Sequence, residues 1–157
     1  MRATGLAVSL AAALCAAGGS GAKDIPSSGL AAQDVAIWLR GAGVRAEVVA
    51  VPGGVSHVRA KGDGVTFEVY LFDCTGEPCA NLQFSARFDP IAAGKAVRLA
   101  EWNRRERWAR AYIDPDGDPR LEQDVDIAPG GTYESLNDQL VYWRIDLTRF
   151  KRDYLGR

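Results

Sequence analysis

The chain has 157 residues, of which 20 are acidic and 19 basic, giving a formal net charge of −1. A balance so close to zero produces no broad field for nucleic acid or anionic lipid, so neither is expected as a partner. No segment beyond the first residues is apolar enough to span a membrane.

The N-terminus reads as an export signal occupying residues 1–22. Arg2 supplies the positive start, LAVSLAAALCAA (6–17) is an apolar core too short to span comfortably, and Ser20-Gly21-Ala22 offers small residues before Lys23. A lipoprotein signal at Cys15 fits less well, because bulky Leu14 precedes it. Cleavage near Ala22 predicts a periplasmic protein of about 135 residues (23–157), enough for one domain with its own core. It also leaves Cys74 and Cys79 as a pair in an oxidising compartment, at the neck of CTGEPC, where a structural disulfide is expected. A CxxC redox centre does not match this spacing. With His57 the sole histidine, the roughly four ligands of a zinc site are also missing.

Ser27 or Ser28 can cap a helix over about 30–39, with Leu30, Val35, Ile37 and Trp38 as its apolar positions and a stop at Gly41-Ala42-Gly43. Strands follow over 44–51 and 55–61, divided by Pro52-Gly53-Gly54. Gly62-Asp63-Gly64 turns the chain into the next strand. Val65, Phe67, Val69 and Leu71 then alternate with Thr66, Glu68, Tyr70 and Phe72. Over 80–88, Ala80, Leu82, Phe84, Ala86 and Phe88 alternate with polar residues. Such period-two patterns describe antiparallel strands with one face in the core. A short helix is expected over about 94–105.

The stretch WNRRERWARAYIDPDGDPRLEQDVDIAPGG (102–131) reads as a helix end, a long hairpin and a Gly-Gly stop. Gly117 should take positive φ in the turn. Pairing Asp114 with Asp118 sets Arg110 against Glu122, Tyr112 against Arg120 and Trp108 against Asp124. Ala109, Ala111, Ile113, Leu121, Val125 and Ile127 then line the other face. After Gly130-Gly131, Thr132 caps the last helix. Tyr133, Leu136, Leu140, Trp143, Leu147, Phe150 and Tyr154 form its apolar seam, widened by Val141 and Ile145.

Candidate chemistry is sparse. DPDGD lacks the glycine and glutamate positions of an EF-hand loop and reads as a solvated turn. Arg104, Arg105, Arg107 and Arg110 could clamp an anion, but Glu122, Asp124 and Asp126 lie close enough to neutralise them. Gly130-Gly131 has no phosphate-loop context, and His57 has no motif partner. Asn103 suits a backbone bond at a helix end. No nucleophile constellation is present, so no catalytic residue, metal or cofactor is expected. Trp108, Arg110 and Tyr112 are of the types enriched at binding hot spots and form the candidate partner surface. The competing arrangement has the terminal helix covering them.

Taken with CANLQFSARF before it and ESLNDQLVYWRIDLTRF after it, the 102–131 stretch resembles the YbjN domain, a putative bacterial sensory transduction regulator. The resemblance runs from about Gly29 to Phe150. It implies a fold like the type III secretion chaperones, a twisted antiparallel sheet with helices packed on it. It also implies a module that holds extended segments of partner proteins and often dimerises, and it carries no catalytic residues. The leader and the Cys74/Cys79 pair set this chain apart from cytoplasmic members. The expectation is therefore one α+β domain, helix–four strands–helix–two strands–helix, that binds a protein and is not an enzyme, with a homodimer left open. A periplasmic sensor using a small-ligand pocket between sheet and helices is the alternative.

Overall fold

The computed structural model describes residues 22–90 and 96–156. Cys15 and all but the last residue of the expected leader lie outside the described residues. The elements follow the expected order: α1 (Ala32–Gly41), β1 (Arg45–Val49), β2 (His57–Gly62), β3 (Val65–Cys74), β4 (Cys79–Arg87), α2 (Ala96–Arg105), β5 (Arg110–Ile113), β6 (Pro119–Asp126) and α3 (Tyr133–Arg149). A π-helical stretch, Phe150–Leu155, continues α3. The strands form one six-stranded antiparallel sheet in the order β1-β2-β3-β4-β6-β5, so the fold is α+β.

Alternation in β3 and β4 decides which face is buried. Val65, Phe67, Val69 and Leu71 on β3, with Leu82, Phe84 and Ala86 on β4, point into the core. Helix α3 lies on this face, its Trp143 ring 5.8 Å from Phe67 and 5.6 Å from Phe84. Helix α1 joins it through Trp38, 6.4 Å from Phe84. Helix α2 packs near the other end, where the Trp102 ring meets Phe150 and Tyr154 edge-on at 5.1 and 5.0 Å. Of the expected seam, Leu136, Leu140, Trp143, Leu147, Phe150 and Tyr154 are buried and Tyr133 is partly buried against the core, and the Thr132 hydroxyl accepts the Ser135 N–H as a cap. Val141 and Ile145 do not widen it. They point to solvent at 52 and 41 % exposure, because the sheet meets only the narrow side of α3.

Other expectations need correction. Helix α1 begins after Ala31, not after Ser27 or Ser28. Leu30 is held extended by an antiparallel bridge to Cys79, so no helical turn can form before it. Gly29 makes that approach possible: its φ is +91°, and a Cβ there would lie 1.8 Å from the Cys79 carbonyl oxygen. Ile37 is on the solvent side of α1, and Ile113 is exposed at the far end of β5, beyond the helices. The Gly130-Gly131 stop is a position where only glycine fits. Gly130 has φ +89°, and a Cβ on Gly131 would strike the Ile127 carbonyl at 2.2 Å.

The edges of the sheet are handled differently. On β1 the Arg40 guanidinium donates to the outward carbonyl of Ala46 at 3.0 Å. On β5 the end of α2 lies along the free edge. Between β2 and β3, Asp63 and Gly64 both have positive φ, at 52 and 75°, as a two-residue hairpin turn demands.

Strands β3 and β4 meet at Cys74 and Cys79, which face one another in register and are joined as a disulfide. Closing so short a loop stabilises by about 2 kcal/mol in the chain-entropy treatment. A double Cys74→Ser/Cys79→Ser variant should lose about that much, read as a lower urea midpoint. An unchanged midpoint would show that the bridge adds nothing.

Candidate functional site

The face of the sheet turned away from the helices carries rows of polar side chains fixed by the register. One row runs Glu47, Arg59, Glu68, Ser85, Glu122 and Arg110 across all six strands. Opposite charges alternate along much of it, so each side chain has a partner one strand away. Arg59 Nε donates to Glu68 at 2.9 Å, and His57 Nε2 lies 3.4 Å from the other Glu68 oxygen. The His57 ring also leans on Tyr70 at 5.0 Å. The histidine therefore sits in a polar strand row.

Glu122 is the centre of the row. It is 8 % exposed although it belongs to the open face, and four donors converge on its carboxylate. Arg110 Nη2 and Nε reach Oε2 at 2.9 and 3.2 Å, while the Tyr112 hydroxyl and Ser85 Oγ reach Oε1 at 2.9 and 3.3 Å. Arg110 Nη1 also donates to Asp124 at 3.1 Å, and Gln83 holds the other oxygen of Asp124 at 2.7 Å. Charge-assisted bonds of this kind outweigh neutral ones and fix geometry. The hydrogen bond to Glu122 raises the Arg110 pKa further, and burial, followed by the same carboxylate, pushes the Tyr112 phenol up. Both groups keep their ordinary charge at neutral pH. Both oxygens of Glu122 are thus occupied by hydrogen bonds from Arg110, Tyr112 and Ser85.

Helix α2 positions this edge strand. The Asn103 carboxamide pairs with the Ala111 backbone in both senses, accepting its N–H and donating to its carbonyl, each at 2.8 Å. Trp102 Nε1 donates to the Ala109 carbonyl at 2.7 Å. The helix-end backbone role expected for Asn103 is thus observed, with a strand edge as its target. Arg105 pairs with Glu101 in its own helix at 2.9 Å, so of the basic cluster it is Arg110 that meets the acidic strand.

Trp108 departs from the expected site. The ladder starts at Arg110, and Trp108 does not face Asp124. Its ring stacks on Tyr142 of α3 at 4.7 Å and 8°, half exposed beside the helices. The structure therefore brings Arg110 and Tyr112 together and sets Trp108 apart. The stack is worth more to an indole than an edge position in water.

The turn behaves as a hairpin turn, with Gly117 at φ +89°. Asp114 Oδ1 accepts the N–H groups of Asp116 and Asp118 at 3.0 and 2.9 Å, and Oδ2 accepts Arg120 Nε at 2.9 Å. The Arg120 bond, then these backbone donors, hold the Asp114 carboxyl below its ordinary range. Asp118 takes Arg87. The turn's carboxylates are thus directed at arginines. Among the described residues no cluster of three or more His, Cys, Asp or Glu is placed to hold a metal, and no helix is long and apolar enough to cross a membrane.

Sequence reasoning missed Asp146 of α3, a carboxylate only 2 % exposed. The signal was present, since position 146 lies three residues after Trp143 and four before Phe150, inside the apolar seam. It borders a hollow of about 320 Å³ with Glu106, Trp108, Tyr142 and Arg149. Residues 31–154 match the YbjN family, described as "putative bacterial sensory transduction regulator". No curated protein matches the chain.

Proposed function

The chain belongs to the YbjN family, and from that premise we propose that it is a non-enzymatic, exported, chaperone-like module that acts by holding a segment of a partner protein. The carrying observation is the open sheet face, where Arg110 and Tyr112 are braced on buried Glu122 beside an edge strand. Side chains fixed before contact lose less freedom on binding, and Arg and Tyr are the types that dominate such interfaces. The Cys74–Cys79 disulfide supports a periplasmic setting, where such bonds persist.

Affinity capture from periplasmic extract tests the reading. A protein held by the wild type should bind Tyr112→Ala and Arg110→Ala at least about tenfold more weakly, the change that removing one hot-spot contact brings. Trp108→Ala, on the helix side, should matter less. If every captured protein binds all three variants as it binds the wild type, the open face is not the contact surface.

One observation favours a second reading, a small-ligand sensor. A groove of about 560 Å³ lies between α1 and α3, lined by Asp34, Trp38, Tyr133 and Asn137 among others. Its volume is within the range of ligand sites. It lies between helices, whereas the pocket expected from the sequence lay between sheet and helices. A metabolite that raises the melting temperature strongly, and loses that effect in Asn137→Ala, would favour it.

A further inference from the structure

Helix α3 turns toward solvent a stripe that its own core does not use. Val141 and Ile145, one turn apart, are among the most exposed large aliphatic side chains described, and Ile37 of α1 beside them is 55 % exposed. Two hollows border the ridge, and Val141 and Arg144 line both of them. The α1/α3 groove borders Val141, and a second hollow of about 550 Å³ is lined by Val141, Ile145, Thr148 and Arg149.

The charges along this stripe are ordered. At 3.6 residues per turn, Glu134, Asp138, Val141, Ile145 and Arg149 share one outward side of α3, and Arg152, in the π-helical continuation, lines the same hollow as Val141, Ile145 and Arg149; all six are exposed. The N-terminal end is acidic, the middle aliphatic and the C-terminal end cationic. Turning the helix end for end about Trp143 maps the stripe onto its complement. Glu134 then meets Arg152, Asp138 meets Arg149 and Val141 meets Ile145.

We propose that two copies of this chain pair through this stripe, with α3 antiparallel to α3 about a two-fold axis beside Trp143. A two-fold contact must be self-complementary, and this stripe is so in charge and in its aliphatic centre. Val141 and Ile145 of one copy pack against Ile145 and Val141 of the other, and each acidic end faces a cationic one. Arg149 and Arg152 contact Glu106 and Asp153 within their own copy, at 3.3 and 2.5 Å, but their side chains remain 50 and 66 % exposed and can accept a second carboxylate. The pairing leaves both open sheet faces pointing outward. It does not depend on what those faces bind.

Light scattering on the size-fractionated protein, across a concentration series, tests this. The mass should double with a midpoint on the order of 10 µM, as suits a contact smaller than a standard interface. Val141→Glu, an exposed change that should leave the melting curve intact, should abolish the doubling. Glu134→Arg and Arg152→Glu should each weaken pairing about tenfold, since each sets two like-charge contacts across the axis. Both changes in one chain should restore it, because the complement is merely inverted. A single-copy mass at about 100 µM overturns the proposal. So does a dimer indifferent to Val141→Glu, or a double variant no better than the singles.

Discussion

Trp102→Phe is expected to destabilise the protein more than Trp143→Phe, although both indoles are fully buried. The difference lies in the nitrogen. Trp102 Nε1 donates to the Ala109 carbonyl at 2.7 Å, whereas Trp143 Nε1 is buried with no hydrogen-bond partner. Phenylalanine at 102 leaves the Ala109 carbonyl, immediately before β5, without that donor, costing about 1–3 kcal/mol beyond the lost volume. At 143 the same change removes an unsatisfied polar atom and leaves a smaller ring against Phe67 and Phe84. Trp102→Ala should cost about 3–5 kcal/mol, because a cavity opens under Phe150 and Tyr154 as well. Urea midpoints of the three variants settle the order. Trp102→Phe at wild-type stability, or Trp143→Phe as the worse of the two phenylalanine variants, would contradict it.

Asp146→Asn should stabilise the protein at neutral pH and make no difference in acid. The Asp146 carboxyl is buried in the α3 seam, and its Oδ2 has no hydrogen-bond partner. Burial, and then the Glu106 carboxylate, push its pKa up to about 6, against the opposing pull of Arg149 and the Ala109 N–H. In the unfolded chain the group titrates near its ordinary value of about 3.9. Between these values the native state binds the extra proton, so stability is full below about pH 4 and falls as pH rises through about 6. The loss should approach about 3 kcal/mol as an upper bound. Asparagine never ionises, so the variant should match the wild type below about pH 4 and rise progressively above it as pH passes through about 6. Unfolding curves that remain parallel across it would show that Asp146 is not the group responsible.

What could be read from the sequence followed from how local each determinant was. The β3 and β4 faces, the Thr132 cap and the pairing of Arg110 with Glu122 and Tyr112 with Arg120 depend on alternation and turn chemistry within a few residues. The buried seam of α3 was legible from its spacing of three and four. Its limits were not, because spacing does not report how wide a sheet lies beneath, and the period of three and four alone turns Val141 and Ile145 inward. Trp108 departs from its expected place for a similar reason. Alternation extrapolated the strand backward past Arg110, but the chain leaves the ladder there and the indole finds Tyr142, 34 positions away. The start of α1 was set by Leu30 bonding to Cys79, a long-range contact that no local capping signal carries. Glu122 was placed correctly in register, yet its burial emerges only once Ser85, Arg110 and Tyr112 converge on it.

The two lateral borders of the sheet bear on how the protein survives at high concentration. A bare β edge is a template on which another chain can extend the ladder into fibres. Here Asn103 occupies the outward amide and carbonyl of Ala111 on one border, and Arg40 occupies the outward carbonyl of Ala46 on the other. An incoming strand would have to displace a side chain to pair at Ala111 or at the Ala46 carbonyl, so the folded chain itself opposes edge-to-edge growth at these positions.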